Sequence, residues 1–333
     1  MDREQDDAQE DGPLSIVHRL RKKLIIAVVL GACIFLFISI YSGFDDFAKS
    51  LASFNLWYLP CVLGLAFFNY ILRFFKWDYY LRLLDVEISR KKSFKIFLAG
   101  LTMTISPGRF GEVIKSLFIK MIDGAAIART APIVIAERFT DFIAFLILSA
   151  WGAATFATGG KVLLISAGIT VAVIVIVGTR RIAQPLLTFI GMLPFLKRFA
   201  DKAAEAYESM YQLIRLRRLV PAVGLSVVSW FCECIAFYVV LEALDITRFA
   251  SFGDAVFIYA FSTLAGAITM MPGGIGLTEV SLTGLLLKLT QCTDKSAAAA
   301  ATIVIRLCTL WFAVAVGIVA SALLKDIGEE AQE

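Results

Sequence analysis

Two apolar stretches of this chain are broken midway by the same kind of motif. Pro107-Gly108-Arg109-Phe110-Gly111-Glu112 interrupts the first half, and Pro272-Gly273-Gly274-Ile275-Gly276-Leu277-Thr278-Glu279 interrupts the second, 165 residues apart in a chain of 333. Proline removes a helical hydrogen bond and glycine admits a sharp reversal, so neither stretch can run as one straight helix. Each motif is followed about 30 residues later by an arginine inside another apolar run: Ile133-Val134-Ile135-Ala136-Glu137-Arg138, then Ile303-Val304-Ile305-Arg306. A repeated glycine-broken helix in a membrane protein points to a binding site near the bilayer midplane.

The composition places the chain in a bilayer. Hydrophobic residues make up 59% and charged residues 18%, against roughly 45–50% and 25% in soluble proteins, and the mean hydropathy is +0.79. No basic, aromatic-interleaved patch suggests nucleic acid as a partner. Cysteines 33, 61, 232, 234, 292 and 308 fall mostly inside apolar segments, so no disulfide framework is implied. In Cys232-Glu233-Cys234 the two thiols would point about 200° apart on a helix. The only histidine is His18. Neither a metal site nor a cofactor is expected.

Apolar runs long enough to span, roughly 17–25 residues each, lie near 24–41, 57–75, 131–156, 161–178, 219–241 and 297–323. The broken stretches, 94–119 and 253–287, are read as re-entrant hairpins, because the 13 residues from Phe94 to Ser106 are too few to cross ~30 Å. The acidic start Met1 to Gly12, the basic Arg19, Arg21, Lys22 and Lys23 and the following apolar run read as a tail and a retained first span. Ser39-Ile40-Tyr41 makes a poor signal cleavage site. Lys and Arg in segments expected inside total 21, against 5 outside, which sets both termini in the cytoplasm.

The expected fold is therefore an all-α integral membrane protein of the cytoplasmic membrane, with six transmembrane helices and two re-entrant helical hairpins arranged as an inverted repeat. Its parts are a tail at 1–23, a first membrane repeat at 24–178, a cytoplasmic insert at 179–218, a second repeat at 219–323 and a tail at 324–333. In the insert, Ala203, Ala206, Tyr207, Met210, Leu213 and Ile214 have helical spacing against charged neighbours. That helix suits either a membrane surface or packing on its own protein.

Ionisable residues within a bilayer are costly and are functional candidates by default. They are Glu112, Lys115, Glu137, Arg138, Asp141, Glu233, Glu279 and Arg306. Glu112 with Lys115 and Arg138 with Asp141 are i, i+3 pairs, and Glu137 and Asp141 share a helix face. The tip glycines Gly108, Gly111, Gly273, Gly274 and Gly276, with Arg109, would expose N–H groups at the start of each returning half-helix, a setting suited to an anion. Five carboxylates against three cations leave acids without a built-in partner. The expectation is that Lys115, Arg138 and Arg306 hold an anionic headgroup while Glu112, Glu279 or Glu233 takes up protons. Pairs that merely tie helices together are the structural alternative. Asn69, Arg73, Lys76 and Trp77 read as an interfacial edge with snorkelling cations.

Ser106-Pro107-Gly108-Arg109-Phe110-Gly111-Glu112, the Glu137-Arg138 to Asp141 segment, Arg73 with Trp77, and Pro272-Gly273-Gly274-Ile275-Gly276 with Glu279 together resemble the lysylphosphatidylglycerol synthase transmembrane-region family, also called UPF0104, over roughly residues 15–325. The resemblance implies lipid translocation and carries over Gly111, Glu112, Glu137, Arg138, Asp141, Gly276 and Glu279 as site residues. In bifunctional members this module flips aminoacylated phosphatidylglycerol made by a separate soluble domain. The sequence ends ten residues past Leu323, so that domain is not expected here. Stand-alone relatives are associated with other lipids, hopanoid and glycolipid pathways among them. The expected partners are thus membrane lipids, an anionic or aminoacylated phospholipid or a glycolipid, with homo-oligomerisation open. The expected activity is non-enzymatic translocation. The alternatives are a lipid-headgroup transferase using Glu112 or Asp141 as base, and a scaffold of a lipid-synthesis complex.

Overall fold

The computed structural model describes residues 28–153, a few helical positions between 164 and 175, and residues 200–330. The expected tail at 1–23, most of the span at 161–178, the first part of the insert and the last three residues lie outside the described residues. No strand occurs among the described residues.

The chain enters as α1 (Val28–Tyr41), bent by 104° into the short α2 (Phe44–Ala52). A 3-10 turn at Leu56–Tyr58, capped where Asn55 Oδ1 accepts the Trp57 N–H, leads into α3 (Leu59–Leu83). Turn and helix together make 28 residues, apolar enough to cross a membrane and ~42 Å long.

α4 (Arg90–Gly100) runs into the 3-10 turns Leu101–Ile105 and Pro107–Val113 and returns as α5 (Ile114–Asp123). α4 packs on α5, so the stretch doubles back at the first Pro-Gly motif. At 11 residues α4 reaches only ~16 Å. A single turn, α6 (Ile127–Thr130), precedes α7 (Pro132–Ala153). α7 has the length of a span, and its interior carries Glu137, Arg138 and Asp141.

α8 (Ala200–Ile214) follows, and its apolar face packs on the protein: Met210, Leu213 and Ile214 are buried with Trp77, Tyr80 and Ile133. α9 (Leu216–Ala243) is the second unbroken apolar helix of 28 residues. α10 (Phe252–Ile268), held at its start by a capping box between Ser251 and Asp254, turns at Pro272–Gly274 into α11 (Leu277–Leu289). α10 packs along α11, and Gly266 lies so close to Thr278 that a Cβ would strike its hydroxyl. α12 (Lys295–Arg306), a π-helical turn at Leu307–Trp311 and α13 (Phe312–Glu330) complete the chain. Lys295–Ala322 forms the third apolar helix of 28 residues.

Among the described residues three helices are thus long and apolar enough to cross a membrane, or four if the bent α1–α2 pair is one span, where six spans were expected along the whole chain. Of the other two expected spans, α7 has the length of one but carries three charges, and 161–178 lies mainly outside the described residues.

The two hairpins share a turn and meet at their tips. Gly108 and Arg109 have φ of 57° and 58°, and Gly273 and Gly274 have φ of 60° and 67°. Two consecutive left-handed residues therefore follow proline in both. The Gly108 N–H donates to the Met270 carbonyl at 3.0 Å, and Gly273 lies against Ile105 and Leu310. Around the joined tips α3 pairs with α9, α7 packs on α9 and α10, and α13 covers the first hairpin. Gly317 of α13 approaches so closely that a Cβ would strike the Thr102 backbone.

Candidate functional site

A cavity of about 350 Å³ lies beside the joined tips, walled by α3, α7, α9, α10 and the π turn. Its charged walls are Arg73, Arg109, Arg138, Asp141, Glu233 and Arg306, and its apolar walls include Phe139, Phe142, Phe145 and Trp230. Ile135, Met270 and Met271 line it too, yet are 50%, 59% and 39% exposed on the molecular surface. The cavity therefore has an apolar rim facing outward and a guanidinium-lined interior.

Behind the wall runs a buried ion network. Glu112 lies 3.2 Å from Lys115, 3.7 Å from Arg73 and 3.8 Å from Arg138. Lys115 also donates to Glu137 at 2.7 Å and stands 4.2 Å from the Trp77 ring centre, a cation–π contact. Lys76 donates to Asp141 at 2.6 Å and to the Ser226 hydroxyl at 2.7 Å, and Arg138 reaches Asp141 at 3.2 Å. At the second tip, Arg306 pairs with Glu279 at 2.5 Å and donates to the Gly273 carbonyl at 2.7 Å. Both halves thus bring a glutamate that follows the tip glycines to an arginine of a later helix: Glu112 to Arg138, and Glu279 to Arg306.

The π turn after Arg306 changes which carbonyls the helix satisfies. Tyr70 donates to the Thr309 carbonyl there at 2.7 Å. Across the cavity, the Tyr259 hydroxyl donates to Glu233.

Of the residues singled out in the sequence, Gly108, Arg109, Arg138, Asp141, Glu233, Gly273, Gly274 and Arg306 line the cavity. Glu112, Lys115, Glu137 and Glu279 form the layer behind it, each no more than 1% exposed. Gly111 and Gly276 shape the turns.

One expectation is narrowed and one corrected. Several of the N–H groups that the hairpin tips were expected to offer an anion are taken by the tips' own side chains and carbonyls. Gly111 donates to Ser106 Oγ at 2.8 Å, Arg109 to the Ser106 carbonyl at 2.8 Å, and Gly276 to Glu279 Oε2 at 2.6 Å. Acids do not outnumber cations. Arg73 and Lys76, read as interfacial, are 2% and 0% exposed inside the protein. With Arg109 they bring the described cations of the cavity and network to six, Arg73, Lys76, Arg109, Lys115, Arg138 and Arg306, against the five acids Glu112, Glu137, Asp141, Glu233 and Glu279.

The residues missed altogether are Tyr70, Trp230 and Tyr259. Their signal was faint, since aromatic residues on apolar helices read first as packing. Arg73 and Lys76 did carry one: they are i, i+3 on one helix and so share a face.

The guanidiniums are incompletely satisfied. Arg73 Nε and Nη2, Arg109 Nη1, and Arg138 Nε and Nη2 are buried and make no hydrogen bond of good geometry. Arg73 and Arg109 lie 5.8 and 5.6 Å from the Trp230 ring centre. A buried donor without an acceptor costs about 1–3 kcal/mol, more when charged. Such a concentration of donors is the chemistry of an anion site.

Fold and site together define a multi-pass α-helical membrane protein with an arginine-walled cavity, rimmed by exposed apolar side chains, at two joined hairpin tips. Residues 24–317 match the family described as the lysylphosphatidylglycerol synthase TM region, and the chain belongs to that family. It is 22% identical over 328 residues to a UPF0104 membrane protein of Pyrococcus horikoshii, covering 89% of this chain and 95% of the relative. It is 24% identical over 329 residues to a UPF0104 membrane protein of Methanothermobacter thermautotrophicus, covering 90% and 95%.

Proposed function

We propose that the protein translocates an amphiphile with an anionic headgroup across the cytoplasmic membrane, the headgroup passing through the arginine-walled cavity while its apolar chains stay in the lipid. The observation that carries this reading is the pairing of buried, unsatisfied guanidiniums with an exposed apolar rim on one cavity. A soluble anion would not need the rim. A purely apolar ligand would not need the arginines.

Family membership supports a lipid-handling role. The repeated turn, the repeated glutamate–arginine pair and the contact between tips support an inverted repeat, whose two arms exchange roles in alternating access. In this reading the hairpins enter from opposite faces and both termini are cytoplasmic. No bond of the lipid is made or broken. A headgroup transferase would use Glu112 or Asp141 as base, and both are already acceptors for buried cations.

The test uses liposomes containing the purified chain and fluorescent phosphatidylglycerol. Faster movement than in protein-free liposomes, lost in Arg138→Gln, with the lipid recovered chemically unchanged, is expected. A converted headgroup would replace transport with transfer chemistry, and unchanged movement in Arg138→Gln would remove the cavity from the route.

A further inference from the structure

The charge on the cavity wall is more selective than its shape. Four guanidiniums face the space and two carboxylates do. Arg306 is engaged by Glu279 and the Gly273 carbonyl, and Asp141 by Lys76, Ser226 and Arg138. The donors left with neither a hydrogen bond nor an ion pair among the described residues are Arg73 Nε, Arg109 Nη1 and Arg138 Nε, whereas Arg138 Nη2 and Asp141 Oδ2 face each other at 3.2 Å. Arg109 makes no ion pair within 4 Å among the described residues. The one cavity-facing carboxylate without an ion pair among those residues is Glu233, which accepts from Tyr259 and lies in the field of Arg73, Arg109 and Arg306.

We propose, resting on the translocation reading, that the cavity selects an amphiphile whose headgroup carries a phosphate and no ammonium, read jointly by Arg73, Arg109 and Arg138. A phosphate offers non-bridging oxygens that match the guanidinium fork. An ammonium in the same space meets like charge on several sides at reduced dielectric. Of the two carboxylates it would meet there, Asp141 is already paired with Lys76 and Arg138, and Glu233 accepts from Tyr259 and lies in the field of Arg73, Arg109 and Arg306. An aminoacylated headgroup brings positive charge into a wall already in cationic excess, and is rejected.

Arg109 is the specificity-determining member. Its backbone is left-handed, with φ of 58° and ψ of 18°, at the turn position that Gly274 fills in the second tip. An L-residue there is strained. The guanidinium that this strained turn delivers to the cavity is the one without an ion-pair partner. Substitution Arg109→Gly therefore removes the charge while suiting the backbone, and separates recognition from folding.

Native mass spectrometry of the purified full chain would compare phosphatidylglycerol, phosphatidic acid and lysyl-phosphatidylglycerol of matched acyl chains, with glycerol 3-phosphate as soluble competitor. The expected result is binding of the two anionic lipids ~10-fold or more tighter than of the lysyl lipid. Arg109→Gly should weaken phosphatidylglycerol ~10-fold and leave the lysyl lipid unchanged. Equal or tighter binding of the lysyl lipid would overturn the proposal, as would its selective loss in Glu233→Gln, which would make that carboxylate an ammonium site. Competition by glycerol 3-phosphate at the lipid's own concentration would overturn the assignment to a lipid. Selective binding without movement in liposomes would refute translocation and leave the selectivity standing. Movement indifferent to headgroup would do the reverse.

Discussion

At the scale of the residue, the cavity charges were only half legible in the sequence. A hydropathy pattern registers the cost of a buried charge and not the partner that offsets it. Lys76 looks like the end of a span until Asp141, 65 positions away, is seen beneath it. The i, i+3 pairs were legible because both members share one helix. Two outcomes follow from these contacts. Arg109→Gly should raise thermal stability in detergent by roughly 1 kcal/mol through relief of the left-handed backbone, while lowering lipid movement. An Arg306→Ala change should cost about 3–5 kcal/mol, since it strands Glu279 as an uncompensated buried carboxylate. The double change Glu279→Leu with Arg306→Met should regain most of that loss in thermal unfolding. Recovery no better than the single variant would show that the pair holds the fold through more than mutual neutralisation.

At the scale of the element, the two reversals could be read directly. Proline followed by glycine forbids a continuing helix, and the same consecutive left-handed turn was the physical result in both halves. What the sequence could not reveal is that side chains cap part of each tip, Ser106 reaching back to Gly111 and Glu279 to Gly276. The π turn after Arg306 carries no residue signature and was equally hidden. Close packing at the hairpins makes a contrasting pair of predictions. Gly266→Ala should destabilise by about 1–3 kcal/mol through overpacking, and Thr278→Ala should partly rescue it, because the clash is chiefly with the Thr278 side chain. Gly317→Ala should destabilise similarly without any such side-chain rescue, since its first obstacle is the Thr102 backbone nitrogen. Thermal unfolding of the four variants checks both; equal rescue by Thr102→Ala and Thr278→Ala would contradict the packing account.

At the scale of the whole molecule, the class of protein was legible from composition and the recurring turn from its two motifs. The number of spans was less so, because α7 pairs the length of a span with the charges of a site. The proposed inverted arrangement predicts sidedness. In a cysteine-free background, a cysteine replacing Gln291 should react with an impermeant reagent from outside, and one replacing Lys91 only after permeabilisation. Reaction of both from one side would discard the inversion. The central claim, that an anionic headgroup crosses through the arginine-walled cavity, is tested most directly by the rate of fluorescent phosphatidylglycerol movement in liposomes bearing the original chain or Arg109→Gly. The account predicts movement with the original chain and a loss of ~10-fold with the glycine variant, although that variant unfolds at the same or a higher temperature. Equal rates in the two, or no movement with either although both are folded, would contradict it.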